Sequence, residues 1–385
     1  MYLDHAATSP LRPEALAAMA AELTAVGNPS SLHTSGRRAR RVVEESRESI
    51  AALLGVSAGE VVFTSGGTEA DNLAVKGIYR ARRNGDDNRR RVLASAIEHH
   101  AVLDPVQWLG DAEGADVSWL AVDDLGRVRL DWLEKEIARD PEAIALVTVM
   151  WANNEVGTIQ PIAEVAALCA EHGIPLHTDA VQAVGTLDVD ASIVSSLALS
   201  GHKVGGPHGV GAIVLHRGLE VESHIHGGGQ ERDVRSGTLD TPAIAGLAAA
   251  ITASMGDRDD RVERLRLLRD DLVARVVHDI DGVTRNGDPV GSLPGIAHLS
   301  FEGCEGDALL LLLDAAGVEC SRGSACSAGV PQPSHVLLAM GMDPVAARSS
   351  LRFSLGHTSV PHDVDRLLEV LPAVVARARR AGSSR

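Results

Sequence analysis

Short apolar runs alternate with amphipathic segments between about residue 40 and residue 215 of the 385-residue chain. Residues 162–171 typify the amphipathic segments, with alanine and leucine along one helical face. Such alternation predicts a mostly parallel sheet of seven strands, covered by helices on both faces. The predicted strands are residues 61–64, 91–95, 117–120, 144–150, 175–179, 196–200 and 211–215.

The pattern changes after residue 215. Residues 226–237 (HGGGQERDVRSG) lack periodicity and carry enough glycine for a shaped loop. The predicted elements that follow are helices at 242–255, 258–277, 307–316 and 364–379 and strands at 297–301 and 350–354. We therefore expect an α/β protein with a large domain over residues 14–255 and a smaller α+β domain from residues 1–13 and 256–385.

Composition and charge exclude several function classes. The chain is 45% hydrophobic and 23% charged, which is ordinary for a globular protein. No apolar run approaches the ~20 residues of a membrane span, and the N-terminus lacks a signal-peptide pattern. The net charge of −16 argues against direct nucleic-acid binding. We expect a cytoplasmic protein with no membrane partner.

The cysteines point away from a disulfide scaffold or a structural metal site. The chain has four of them, at positions 169, 304, 320 and 326, with no CxxC pair and no histidine at metal-ligand spacing. Cys169 lies among alanines and leucine, as inert buried cysteines typically do. Cys326 lies instead in a loop of small residues, 323–329 (GSACSAG), which would allow its thiol to travel to a reaction centre.

Two predicted strands end in residues that suit pyridoxal phosphate. Lys203 follows the strand at 196–200, and Asp179 ends the strand at 175–179. Active-site residues collect at the carboxyl ends of strands in open α/β sheets, where a desolvated lysine becomes an amine nucleophile. The lysine can form the Schiff base, and the carboxylate can pair with the pyridinium nitrogen. Alone, Lys203 would be interpreted as a surface lysine, but its pairing with Asp179 favours the cofactor.

Other polar residues follow the strands in the same way. Residues 65–69 (SGGTE) form a glycine turn before a helical stretch, which suits a phosphate, although a capped turn without a ligand fits equally well in isolation. The further candidates at strand ends are His99, Asn154, Gln182, Ser200 and His202. Each could be a turn residue or a core polar group, but together they favour one shared site. Arg352, in the predicted strand 350–354, is a candidate bidentate clamp for a substrate carboxylate.

With these residues in place, the chain resembles the cysteine desulfurases, fold-type-I pyridoxal-phosphate-dependent transferases of the class V aminotransferase group. The resemblance covers essentially the whole chain. It rests on residues 2–10 (YLDHAATSP), 27–30 (GNPS), 64–69 (TSGGTE), 98–104 (EHHAVLD), 153–157 (NNEVG), 179–182 (DAVQ), 200–203 (SGHK), 226–232 (HGGGQER), 235–238 (RSGT), 323–326 (GSAC) and 352–356 (RFSLG). The stretch 327–333 resembles the group with a long catalytic loop.

The resemblance implies pyridoxal 5'-phosphate as the cofactor and a homodimer as the assembly. Lys203 would bind the aldehyde, Asp179 would pair with the ring nitrogen, and His99 would stack on the ring. The other implied cofactor-binding residues are Asn154 and Gln182 near the ring hydroxyl, Gly67, Thr68, Ser200 and His202 at the phosphate, and Thr238 at the phosphate bound by the partner subunit. The implied substrate-binding residues are Arg352, Asn154 and Asn28.

The implied activity is conversion of L-cysteine to L-alanine, with a persulfide left on Cys326. Cys326, Lys203 and His99 would be the catalytic residues. The sulfur would pass to an acceptor protein, either an iron–sulfur scaffold or a tRNA thiolase, for iron–sulfur cluster assembly or tRNA thiolation. No metal is expected, apart from Cys326 acting as an iron–sulfur ligand during sulfur transfer.

Two other functions stay open at the level of sequence. One is a different fold-type-I enzyme, such as an aminotransferase or a selenocysteine lyase; a transaminase would need no loop thiol. The other is a non-catalytic sulfur carrier or scaffold that retains the fold. The intact pair of Lys203 and Asp179 argues against this second alternative.

Overall fold

The computed structural model describes residues 1–323 and 333–382, and its largest element is a seven-stranded sheet. The strands are β1 (Val61–Thr64), β2 (Arg91–Ser95), β3 (Asp116–Leu120), β4 (Ile144–Thr148), β5 (Leu176–Asp179), β6 (Ser196–Ser200) and β7 (Gly211–Leu215). They lie in the order β1-β7-β6-β5-β4-β2-β3. β7 runs antiparallel to both of its neighbours, and the other six strands run in one direction. The predicted α/β fold with a mostly parallel sheet is confirmed.

Helices cover both faces of this sheet. They are α1 (Pro13–Leu23), α2 (Thr34–Leu53), α3 (Gly67–Arg83), α4 (His100–Glu113), α5 (Leu130–Arg139), α6 (Ile162–Glu171) and α7 (Thr241–Gly256). Leu73 of α3 and Val106 of α4 belong to the core on one face, whereas Ile50, Leu133 and Ile251 belong to the core on the other. The strands are therefore buried on both sides, as parallel strands usually are.

One strand departs from the apolar composition that such burial requires. All four residues of β5 (LHTD) are buried, and three of them are polar. Burying a polar side chain costs free energy unless a hydrogen bond compensates it. This strand is therefore the part of the sheet with the strongest indication of a functional role.

A second, three-stranded antiparallel sheet forms from the C-terminal part of the chain, in the order β10-β9-β8. The remaining elements are α8 (Arg258–Asp279), β8 (Val283–Asn286), β9 (Ile296–Phe301), α9 (Gly306–Ala315), α10 (His335–Ala339), α11 (Pro344–Ala347), β10 (Ser350–Ser354) and α12 (Pro361–Gly382). The sequence pattern missed β8, because only Val283 in it is apolar. Among the described residues, no helix combines the length and apolar character needed to cross a bilayer.

The N-terminal segment joins this second sheet rather than the first. Leu3 is fully buried in the same core as Leu299 of β9 and Leu367 of α12. Asp4 forms a bridge to Ser354 of β10. The predicted domain boundaries, at 13/14 and 255/256, remain a prediction.

Candidate active site

A cavity of about 390 Å³ opens where the carboxyl ends of β5 and β6 meet the N-terminus of α3. Ten of the predicted site residues line it: Gly67, Thr68, His99, Asn154, Asp179, Gln182, Ser200, His202, Lys203 and Arg352. They come from the two halves of the chain and both sheets. The fold therefore brings together in one place most of the residues that the sequence indicated separately.

Lys203 lies just after β6, in a short 3-10 turn over Gly201–Lys203. Its Nζ donates hydrogen bonds to the carbonyl oxygens of Ala6 (2.7 Å) and Ala7 (2.9 Å). Burial lowers the pKa of Lys203 to about 8, and the nearby charge of Arg352 acts in the same direction. An amine that loses its proton this readily is suited to nucleophilic and basic roles near neutral pH.

Asp179 ends β5 and faces the same cavity. Its Oδ1 accepts a hydrogen bond from the amide of Val181 at 2.9 Å. Burial raises the pKa of Asp179, while His99 and Lys203 oppose that rise. The carboxylate thus has an amide donor and a cationic neighbour that favour its charged form.

His99 is held in place by the helix that follows it. Its Nδ1 accepts a hydrogen bond from the amide of Ala101 at 3.1 Å and so caps the N-terminus of α4. Burial lowers the pKa of His99, whereas Asp179 opposes the change. The ring is therefore neutral near pH 7, and its capping bond fixes its orientation beside the cavity.

The N-terminus of α3 forms the anion-binding end of the cavity. The first intrahelical bond runs from the amide of Ala70 to the carbonyl of Gly66, so the amides of Gly67 and Thr68 precede the helical ladder. A Cβ on Gly67 would lie 2.8 Å from Cγ2 of Val181. Only glycine leaves this end of the cavity open, and free amides at a helix N-terminus suit a phosphate group.

Arg352 reaches the cavity from β10 with two of its nitrogens already engaged. Nη1 donates to the carbonyl of Asn154 (2.7 Å), and Nη2 donates to Oδ1 of Asp4 (2.8 Å). Its Nε is buried and has no hydrogen-bond partner among residues 1–323 and 333–382. Because a guanidinium carries five N–H groups, these two bonds leave a second N–H on each Nη, and the predicted bidentate clamp remains a prediction.

Several residues of the cavity wall were not predicted from the sequence: Asp71, His100, Glu155 and His335. Asp71 could have been noticed, because it is a charged residue between the buried Ala70 and Leu73 of α3. Glu155 accepts a short hydrogen bond (2.5 Å) from the hydroxyl of Ser334. That contact joins positions 179 residues apart in the chain, and no local pattern indicates it.

Three predicted site residues are not brought into the cavity by this single chain. Asn28 and Thr238 are exposed on the surface. Cys326 lies outside the described residues. Burial raises the pKa of Cys169 and of Cys320 to about 12. The thiols of Cys169 and Cys320 are therefore poor nucleophiles. The predicted roles of Cys326, Asn28 and Thr238 remain predictions.

Comparison with known proteins gives the same picture over nearly the whole chain. The family model described as Aminotransferase class-V matches residues 1–367. An IscS-like cysteine desulfurase of Mycobacterium tuberculosis is 58% identical over 384 residues, covering 99% of this chain and 97% of that protein. Cysteine desulfurase IscS of Methanosarcina thermophila is 41% identical over 382 residues, covering 98% and 93% of the two chains.

Solved structures of related proteins are similar to this chain over nearly the same length. A NifS-like protein superposes with a TM-score of 0.90 at 33% identity, covering 98% of this chain and 99% of that one. The structure of SspA in complex with cysteine superposes with a TM-score of 0.80 at 34% identity, covering 93% and 99%. The chain belongs to the cysteine desulfurases of the class-V aminotransferase family.

Proposed function

We propose that the chain binds pyridoxal 5'-phosphate in this cavity and uses it to take the sulfur atom from L-cysteine. The residues present fit the cofactor at three places. Lys203 offers an amine for the aldehyde, Asp179 a carboxylate for the ring nitrogen, and the N-terminus of α3 amide donors for the phosphate. When bound, the cofactor supplies an electron sink for negative charge on the substrate's α-carbon.

Lys203 is proposed to accept the α-proton of the substrate, and Arg352 is proposed to bind the substrate carboxylate. With its lowered pKa, Lys203 can accept the α-proton at Nζ near neutral pH. Arg352, which lines the cavity, offers the remaining N–H groups of its guanidinium to the substrate carboxylate. Asp4 and the carbonyl of Asn154 hold the guanidinium, so the carboxylate would meet a donor that is already oriented.

Cys326 is proposed to receive the sulfur. Its thiolate attacks the sulfur of the substrate, an S–S bond forms, and the C–S bond breaks with its electron pair passing to the β-carbon. A proton then completes the methyl group of L-alanine, and the proton of the substrate thiol stays on the outer sulfur of the persulfide. Because the electron pair passes to the β-carbon, no external oxidant is needed. His99, neutral and fixed by its bond to Ala101, is the proposed proton carrier.

The acceptor of the persulfide sulfur completes the proposal. We assign the sulfur to a protein acceptor in the cytoplasm, with an iron–sulfur scaffold and a tRNA thiolase as the two candidates. A solved relative with cysteine bound supports L-cysteine as the donor. Transfer of persulfide label to each purified acceptor would distinguish the two candidates.

A single observation carries the proposal: the amine of Lys203 and the carboxylate of Asp179 line the same cavity. The test is to purify the full chain with pyridoxal phosphate, record its visible absorbance and measure alanine and sulfide released from L-cysteine. We expect a visible band that Lys203→Ala abolishes, and equal amounts of alanine and reducible sulfur.

Parallel assays separate the alternative functions. Selenocysteine as substrate tests for a selenocysteine lyase, and a 2-oxo acid as amino acceptor tests for an aminotransferase. A strong preference for selenocysteine, or amino transfer without sulfur release, would contradict the proposal. Absence of any cofactor band would instead favour a non-catalytic carrier.

A further inference from the structure

A buried chain of polar residues runs from Asp71 in the cavity wall into the sheet, and the proposed reaction does not use it. His177 of β5 pairs in register with Ser196 of β6, and its Nδ1 lies 2.9 Å from the hydroxyl of Ser196. On the other side of the ring, Nε2 lies 3.2 Å from Oδ1 of Asp71, which α3 presents to the sheet. All three residues are at most 1% exposed.

The carboxyl group of Asp71 is one of three buried carboxyls in this part of the protein. Asp71, Glu98 and Asp179 lie close enough for their charges to interact. Glu98 accepts a bond from the amide of Met150 through Oε1 (2.6 Å), and its Oε2 has no partner among the described residues. Three carboxylates cannot all keep their charges in a buried cluster, because each would repel the other two in a medium of low polarity.

The three carboxyls differ in the groups that face them. Asp179 faces Lys203 and the amide of Val181, both of which favour a negative charge. Asp71 faces His177, whose pKa burial lowers to about 3, so the ring carries no charge. Burial and the two neighbouring carboxyls all raise the pKa of Asp71. The cluster therefore has one favourable place for a negative charge, and it is Asp179.

The tautomer of the neutral His177 ring depends on whether Asp71 is protonated or ionised. A neutral imidazole has one N–H and one acceptor nitrogen. If Asp71 is ionised, the N–H must be at Nε2, facing the carboxylate. If Asp71 is protonated and its O–H donates to Nε2, the ring N–H is at Nδ1, facing Ser196. An Nδ1–H tautomer therefore requires a protonated Asp71, because an ionised carboxylate has no proton to donate to Nε2.

We propose that Asp71 is a neutral acid that donates its proton to Nε2 of His177, and that this pair acts as a positioning element which leaves the negative charge of the cluster on Asp179. The inference rests on the proposed function, in which Asp179 pairs with the ring nitrogen of the cofactor. An ionised Asp71 would place a second negative charge near Asp179, and the repulsion would raise the pKa of Asp179 and so oppose its charged form. A neutral Asp71 removes this repulsion and keeps β5 anchored to α3.

The first test reads protonation directly, in the full chain before cofactor is added. Histidine is labelled with nitrogen-15, and the His177 signal is assigned by its loss in His177→Gln. We expect the Nδ1–H tautomer in the unsubstituted chain, and an infrared carboxylic-acid band that Asp71→Asn removes. An Nε2–H tautomer would overturn the proposal. Because the tautomer is read without substituting Asp71, the result does not depend on how that variant folds.

The second test makes the same chemical change at two carboxyls of the cluster. The asparagine amide of Asp71→Asn can still donate to Nε2 and changes no charge, so cofactor affinity and the visible spectrum should change far less than they do in Asp179→Asn. Asp179→Asn removes the charge and should weaken cofactor binding and shift the pH dependence of the visible band. Equal damage from both variants would overturn the role of Asp71. No effect from Asp179→Asn would instead remove the proposed role of Asp179, while the tautomer result would still stand.

Discussion

Lys203 and His99 both lose part of their affinity for protons because the fold removes them from water. The carboxylate of Asp179 limits this effect, since it opposes the fall in the pKa of each residue. One buried carboxylate therefore affects the pKa of two bases. The consequence at this scale is a neutral imidazole near pH 7 beside an amine that gives up its proton near pH 8 rather than near pH 10.

The lowered pKa of Lys203 predicts how cofactor binding depends on pH. A lysine attacks an aldehyde as the free amine, and the pKa of about 8, against 10.5 for an ordinary lysine, places the change near neutral pH. Below pH 8, the rate at which the chain stripped of cofactor binds pyridoxal phosphate should rise about tenfold for each pH unit, and above it the rate should level off. Stopped-flow absorbance measures this rate. A rate that keeps rising up to pH 10 would show that Lys203 has the proton affinity of a surface lysine.

Substitution of Cys326 should separate cofactor chemistry from sulfur transfer. In Cys326→Ser, the residues that line the cavity are unchanged, so the visible spectrum and the exchange of the substrate's α-proton in D₂O should persist. Alanine and persulfide should not form, because no thiolate is available to attack the sulfur. Mass spectrometry of the protein and an alanine assay measure both products.

Cys304 provides the matched control for that experiment. Its thiol is buried in the core of the second sheet, where burial raises its pKa. Cys304→Ser should keep its activity and lose only some stability. Release of alanine by Cys326→Ser at the parental rate would contradict the assignment of the nucleophile.

At the scale of elements, the junction between β1 and α3 determines the shape of the anion-binding end of the cavity, where the cofactor phosphate is proposed to bind. Gly67→Ala should weaken cofactor binding, because the new methyl group would lie 2.8 Å from Cγ2 of Val181 and push this cavity-lining side chain inward. Overpacking of this kind typically costs about 1–3 kcal/mol. Equilibrium titration with pyridoxal phosphate and thermal unfolding measure the two effects.

Two further variants identify the cause of that loss. Val181→Ala in the Gly67→Ala background removes the clashing methyl group and should restore much of the affinity. Gly256→Ala, at the end of α7, meets nothing within 4 Å and should leave affinity unchanged. If Gly67→Ala binds the cofactor as tightly as the parent, the short distance between residue 67 and Val181 does not matter for cofactor binding.

At the scale of the whole molecule, the sequence predicted strand ends better than contacts between elements. Lys203 could be found because it follows a short apolar run, and Asp179 because it ends a predicted strand. The fold rule for parallel sheets places both positions at one edge. Asp71 could not be placed, because its contact with His177 depends on how α3 crosses β5, which spans 106 positions of the chain. The contact of Glu155 with Ser334 is equally non-local. Periodicity reports which face of an element is buried, but it does not report which element covers that face.

The exposure of Asn28 bears on the predicted homodimer. Four large apolar residues lie near it in sequence and are far more exposed than is usual: Leu16 (57%), Leu23 (66%), Val26 (82%) and Leu32 (84%). Apolar side chains grouped in this way commonly mark an interface. Since Thr238 is also exposed, a homodimer that buries this segment would explain why two predicted site residues lie outside the cavity of a single chain.

Substitution of Leu32 tests whether the segment is the dimer interface and whether the active site depends on it. Leu32→Asp would bury a charge in the proposed interface, so the chain should become monomeric and should bind pyridoxal phosphate more weakly, because neither Asn28 nor Thr238 could then act in the partner's site. Val290→Asp is the matched control, since Val290 is 87% exposed but lies in the second half of the chain, and it should leave mass and affinity unchanged. Light scattering with cofactor titration gives both quantities on one sample. A Leu32→Asp chain that stays dimeric would place the interface elsewhere, whereas a monomer with parental cofactor affinity would show that each active site is complete within one chain.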